Sequence, residues 1–274
     1  MSPHPINKPA AAKGHSLQYF AWLALQLATR DIAVRYRGTS LGWLWALFTP
    51  LLMLGVYTFA FKYIFKVRWP GVGDSPVDFA LQLFAGLLIF QAAADCWGRS
   101  SRIIAEQPHL VKKVVFPLAL LPWAPVLNAV FHAGVSMLLL LVVATLWGIA
   151  PSLQWVLLPL LLMPLAFLLW AVSLLLATLG VFMRDLTQVV TLIIGLLQFL
   201  SPIFYPSASL PAFFQGLLAW NPLTVFIEQV RAIVFSVQGP SLQMWLQSLV
   251  VSMVLAALAY AIFRRVRGGF ADVI

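Results

Sequence analysis

The sequence predicts an all-α integral membrane fold: six transmembrane helices, an N-terminal interfacial helix, and short re-entrant or interfacial helices between the fifth and sixth spans. Three observations carry that prediction. The 274 residues are 62% hydrophobic and only 9% charged, with mean hydropathy +0.95. A soluble domain carries roughly 25% charged residues, so this chain cannot cover a surface that faces water. The apolar residues come in runs long enough to cross a bilayer. The cations gather in short segments between those runs. With both termini cytoplasmic, 13 of the 17 Lys and Arg fall inside, as the positive-inside bias requires. In a soluble chain the same basic excess would suggest nucleic acid; here it marks membrane surfaces, and no nucleic-acid partner is expected.

Residues 1–15 hold three prolines and two lysines and no apolar core, so a mobile cytoplasmic tail is expected and not a signal peptide. Residues 16–37 read as an amphipathic interfacial helix. Ser16 is its N-cap, and Leu17, Phe20, Ala24 and Leu27 follow at helical spacing. Arg30, Asp31, Arg35 and Arg37 close it as an anchor among lipid headgroups, with Asp31 and Arg35 spaced as an i,i+4 pair.

The six-span domain covers residues 38–264. Gly38 to Phe61 is an uncharged run of 24 residues, giving a first span near 41–64 in which Pro50 and Gly55 predict a kink. Gly38-Thr39-Ser40-Leu41-Gly42 matches the G-x-S-x-G nucleophile pattern. That chemistry needs a strand-turn-helix elbow and a His/acid pair, and neither is visible. Lys62, Lys66, Arg68 and the turn-rich residues 70–76 predict an exposed loop. A second span near 79–97 closes on Asp95, a carboxylate expected to snorkel or pair.

Residues 98–117 form the longest polar segment. They read as short amphipathic helices interrupted at Pro108, on the side of the N-terminus, and Glu106, His109, Lys112 and Lys113 make them a candidate docking loop. The 70 uncharged residues from Val114 to Met183 are too long for one span. Residues 147–152 divide them into spans near 118–147 and 154–183, and His132 in the first reads as a helix-to-helix hydrogen bonder. A fifth span near 186–205 follows the Arg184-Asp185 turn and is broken by Pro202 and Pro206. Residues 207–236 hold two apolar stretches too short to span, separated by Asn221-Pro222 and carrying Glu228 and Arg231. The sixth span lies near 242–263, and residues 265–274 form a cytoplasmic tail.

Catalytic chemistry is missing. No Gly-Lys pair occurs, so there is no phosphate-binding P-loop. Cys96 is the single cysteine, which excludes an intramolecular disulfide, and no His/Cys spacing suits a metal. Mid-span charge is nearly absent, whereas ion-coupled carriers keep ionisable groups near the midplane. Energy must therefore come from a partner at the cytoplasmic surface. Aromatic residues make up 14% of the chain. Trp45, Phe48 and Phe59 share one stripe of the first span with Leu41, Leu52, Gly55 and Lys62, and Tyr57 lies off it. Such a stripe packs against neighbours or forms interfacial belts; its other use is to stack on sugar rings.

Three motifs together resemble a known family over nearly the whole chain. They are Arg30-Asp31…Arg35-Tyr36-Arg37-Gly38-Thr39-Ser40-Leu41-Gly42…Trp45…Pro50, then Ser201-Pro202-Ile203-Phe204-Tyr205-Pro206, then Asn221-Pro222-Leu223…Arg231. The chain resembles the membrane-spanning permeases of ABC transporters that export O-antigen, capsule or teichoic acid. The resemblance implies a homodimer in the bacterial inner membrane, joined to two copies of a separate ATP-binding subunit. That subunit would hold ATP and Mg and do the hydrolysis, leaving this chain without cofactor or metal. The substrate implied is a lipid-linked polysaccharide. Glu106, His109, Lys112 and Lys113 would then lie at the ATPase-docking surface. Pro202, Tyr205, Pro206, Asn221 and Pro222 would shape an outer gate, and Trp45, Phe48 and Phe59 would line the path. A permease for a drug or small lipid, and a non-transporting scaffold of a glycan-assembly complex, are the competing readings.

Overall fold

A computed structural model describes residues 17–36, 38–64, 66, 69, 75–112, 116–236, 239 and 241–273. The N-terminal tail, the Ser16 cap, Arg37, Arg68, most of the 70–76 turn and Lys113 lie outside the described residues. The described residues contain helices and irregular segments but no strand. Among the described residues, five helices are long and apolar enough to cross a membrane: Gly42–Ile64, Pro76–Ser100, Leu118–Leu146, Leu153–Phe182 and Leu242–Gly269.

The first helix, α1 (Leu17–Tyr36), lays Ala24 and Ala28 against a later helix. A turn with Gly38 and Gly42 at positive φ leads into α2 (Trp45–Thr58), since only glycine adopts that conformation without strain. The helix continues through Pro50. Its regular winding changes later, at Phe59–Ile64, which is a π-helical stretch. Ser75 caps α3 (Pro76–Ser100), its hydroxyl accepting from the Val77 amide at 3.2 Å, with Pro76 in the first turn.

A turn over residues 101–106 leads to the short α4 (Pro108–Lys112), then α5 (Trp123–Leu146) and α6 (Leu157–Phe182). After Arg184-Asp185 comes α7 (Leu186–Leu200), 15 residues and about 22 Å long, short of the roughly 30 Å hydrocarbon layer. The apolar run predicts a span to 205, but the helix stops at Leu200. Pro202 lacks the N–H to continue it and forces Ser201 into extended geometry, at φ −97° and ψ 148°. Two short helices follow, α8 (Ala212–Trp220) and α9 (Pro222–Phe235), then the long α10 (Leu242–Val266) and α11 (Phe270–Val273).

The bundle winds around α3. Residues on every face of this helix, Leu81 through Phe90, are buried against α2, α5, α6, α7 and α9. Of its most apolar window 78% is buried; for α2 the figure is 0%. A second core joins α6 to α10, where Ala171, Ala177, Ala256 and Ala259 let the backbones approach. Phe263 and Phe270 extend that core to the C-terminal turn, with ring centroids 5.8 Å apart.

Candidate functional site

Each end of α3 holds a polar assembly. The C-terminal end, called here the near end, carries α1 and residues 101–112. The N-terminal half, the far end, carries residues 201–206 and α9.

At the near end, the spacing of Asp31 and Arg35 predicts a pair within α1. The structure separates them. The Arg35 guanidinium donates to Asp95 of α3 at 3.1 Å, and Asp95 also accepts from Gln91 at 3.1 Å. Asp31 instead receives Arg99 of α3 at 2.9 Å and the Asn128 amide of α5 at 2.7 Å. One helical turn of α1 is thereby tied to two membrane helices.

Below these pairs lies a groove of ≈ 690 Å³ between α1 and the 98–109 segment, whose lining includes Arg30, Arg102, Glu106 and His109. Glu106, His109 and Lys112 are exposed. The turn that presents them is fixed by backbone. A Cβ on Gly180 of α6 would lie 1.7 Å from the Ser101 carbonyl oxygen, so only glycine permits this crossing. The Ser101 hydroxyl also meets that of Thr187 at 3.1 Å.

On the membrane side of the ion pairs is a second cavity, ≈ 320 Å³, between α2, α3 and α5. Trp45, Tyr57, Gln91 and His132 are among its walls. His132 Nδ1–H donates to the Asn128 carbonyl at 2.8 Å, within its own helix. Trp45 meets Phe48 edge-on at 5.5 Å, while Phe59 stands exposed at the start of the π-helical stretch. Along the axis, Trp45 and Phe59 are roughly 20 Å apart, so the three aromatics form a file, not a cluster.

At the far end, residues 201–206 are held on all sides. Asn221 caps α9 by accepting from the Leu223 amide at 3.0 Å, and its amide donates to the Ser201 hydroxyl at 2.9 Å. Pro222 occupies the first turn, where its missing N–H costs nothing. Phe204 stacks on Phe61 of the π-helical stretch, with centroids 4.2 Å apart and planes 11° from parallel, and it also contacts Tyr57 and Phe199. The Tyr205 hydroxyl donates back to the Phe199 carbonyl at 2.8 Å, and Pro206 leads out in extended geometry. Pro202, Tyr205, Pro206, Asn221 and Pro222 are thus brought together.

Sequence reasoning counts Arg231 among the outside cations, on the second of the short re-entrant or interfacial stretches of residues 207–236. The structure buries it, with 6% exposure. The signal was a lone arginine in an otherwise apolar stretch, between Val230 and Ala232. Asn128, the one asparagine of the uncharged Val114–Met183 run, was missed for the same reason.

A family model described as ABC-2 type transporter matches residues 23–235. The chain belongs to the ABC-2 type transporter family. The matched region runs from α1 through the last residue of α9, so both polar assemblies lie inside it. Among curated relatives, an O-antigen export system permease protein RfbA of Myxococcus xanthus is 30% identical over 259 residues, which is 93% of this chain and 96% of the relative. An RfbA of the same description from Klebsiella pneumoniae is 30% identical, covering 79% and 82%. The polysialic acid transport protein KpsM of Escherichia coli is 28% identical, covering 81% and 83%. Among the described residues, no three His, Cys, Asp or Glu side chains converge as metal donors would.

Proposed function

We propose that this ABC-2 family chain is the permease of an ATP-driven exporter, moving a lipid-linked polysaccharide of the O-antigen kind across the bacterial inner membrane. The observation that carries the reading is the likeness to O-antigen export permeases over nearly the full length of both chains. In this reading α7 together with residues 201–205 completes a sixth crossing, both termini are cytoplasmic, and the near end of α3 is the cytoplasmic end. Two copies of the chain enclose the path, each joined to an ATP-binding subunit that holds ATP and Mg. The groove beside Glu106 and His109 receives that subunit, and Lys112 and Lys113 belong to the same docking segment of the chain. Arg30, Asp31, Arg35 and Arg37 anchor α1 at the headgroups and tie it to the spans. Pro202, Tyr205, Pro206, Asn221 and Pro222 shape the outer opening, and Trp45, Phe48 and Phe59 line the approach to it. The arrangement suits force transmission, since a push on α1 reaches α3 and α5 through Asp31 and Arg35.

Deleting the gene should remove long-chain polysaccharide from the cell surface while lipid-linked polymer accumulates inside. Surface extracts run on gels, beside labelled lipid-linked material from the cytoplasm, check it. Undiminished surface polymer in the deletion strain refutes the reading.

A further inference from the structure

A buried arginine must be accounted for, because a cation without water is costly unless its donors are met. Arg231 meets those of Nε and Nη2 on two other elements, while Nη1 has no hydrogen-bond partner among the described residues. Its Nε and Nη2 both donate to the Gln82 carbonyl of α3 at 3.2 Å, and Nη2 also donates to the Ile203 carbonyl at 3.0 Å. Its Nη1 faces Glu228 at 3.6 Å, one turn back on α9. The Trp69 ring covers the guanidinium, with its centroid 4.5 Å from Cζ. The Gln82 carbonyl lies about 9 Å along α3 from its first residue, which puts the arginine well inside the bundle.

The contact is shaped around a glycine. A Cβ at Gly86 would stand 3.1 Å from Arg231 Nη2 and 3.1 Å from the Ile203 Cα. The missing side chain lets the 201–206 segment lie directly on α3 with the guanidinium wedged beside it. Ile203 is fully buried there. On the opposite side α2 reaches this segment through rings, Phe61 and Tyr57 against Phe204. Those rings sit at and just before the π-helical stretch, a rare winding that recurs at functional sites.

We infer that Arg231 is a positioning residue for the far-end opening: it locks α3, α9 and residues 201–206 into one platform, so the opening forms without the 201–206 segment lifting. The lock itself is a property of the fold; its use in export rests on the function proposed above.

The experiment follows a single thiol. In a Cys96→Ser background, Ile203→Cys is introduced, and the chain is purified with its ATP-binding subunit into lipid nanodiscs, where both faces meet solvent. Maleimide modification should be slow. Arg231→Ala should speed it about tenfold, the shift in local opening expected for one lost charge-assisted hydrogen bond. Gly86→Ala, which wedges the segment off α3 without touching a charge, should speed it as well. Arg231→Lys, which reaches one carbonyl but not two, should fall between. Unchanged rates in both Arg231→Ala and Gly86→Ala overturn the lock.

In cells, Arg231→Ala should lose surface polymer while the purified complex keeps its ATP hydrolysis, with Arg231→Lys restoring part of the export. Normal export by Arg231→Ala overturns the positioning role, as does a parallel loss of ATP hydrolysis, which marks general unfolding. A deletion strain with normal surface polymer sinks the exporter reading alone, because the labelling rates do not depend on what is carried.

Discussion

Both ends of α3 use arginine to hold a peripheral element, and they do it in opposite media. At the near end the side chains of Arg35 and Asp95 are 39% and 29% exposed, and those of Arg99 and Asp31 are 42% and 31% exposed. At the far end Arg231 is 6% exposed and gives its protons to two backbone carbonyls. Exposed pairs exchange partners with water and contribute about 0–1 kcal/mol each. Breaking a buried charge-assisted contact leaves acceptors without a donor and costs about 1–3 kcal/mol. The comparison separates a joint from a foundation. The helix α1 rides on α3 through contacts that open and close readily, whereas residues 201–206 are fixed to it.

The near end has one rigid point, and the largest effect is expected there. Gly180→Ala sets a methyl 1.7 Å from the Ser101 carbonyl oxygen, and neither partner is a flexible side chain tip. Backbone must move, at a cost on the order of 3 kcal/mol. The variant should melt well below the parent in detergent and accumulate poorly in membranes. A melting temperature within a degree of the parent would mean that the turn after α3 floats, and the joint would then include residues 101–112 as well as α1.

A smaller effect tests the far end. Asn221→Ala removes both the cap of α9 and the bond to Ser201. Loss of the cap costs about 1 kcal/mol. Arg231 still holds Ile203, so the Ile203→Cys thiol should stay protected in this variant while the melting temperature falls by a few degrees. Fast labelling in Asn221→Ala would show that the foundation rests on Asn221 as much as on Arg231.

These contrasts were only partly legible in the sequence. Apolar runs bounded by cations mark the long helices because lipid and protein interior both demand apolar surface. For that same reason the runs do not distinguish α3, wrapped on every face, from α2, where Ala46 alone is buried and Leu54 and Tyr57 only partly so. A stripe of polar residues reports orientation in a water-soluble helix; here lipid erases it. Proline marks where α7 ends, since the local chemistry of Ser201-Pro202 decides it. The partners of Asp31 and Arg35 were out of reach, because α3 and α5 lie 60 to 97 residues away in the chain. Gly86 and Gly180 look like any other glycine until a second backbone is laid across them.

The smallest effect on stability belongs to Arg35, and it is the sharpest test of the joint. Arg35→Glu places two carboxylates at the 3.1 Å contact with Asp95. Because the pair is about a third exposed, the fold should lose about 1 kcal/mol or less, and salt should mask part of it within a Debye length of about 8 Å. The transmission between α1 and α3 should suffer far more than the fold, since repulsion holds the two apart in every conformation. Surface polymer should therefore fall severalfold at unchanged protein level. The exchange Arg35→Glu with Asp95→Arg restores attraction with the chain's net charge unchanged, and export should return with it. If the single variant exports normally, the pair is an ornament of the surface. If the exchange fails while Arg35→Glu remains well folded, the guanidinium is needed on α1 itself, beside the cavity that Arg35 and Asp95 both line. The joint would then be chemical as well as mechanical.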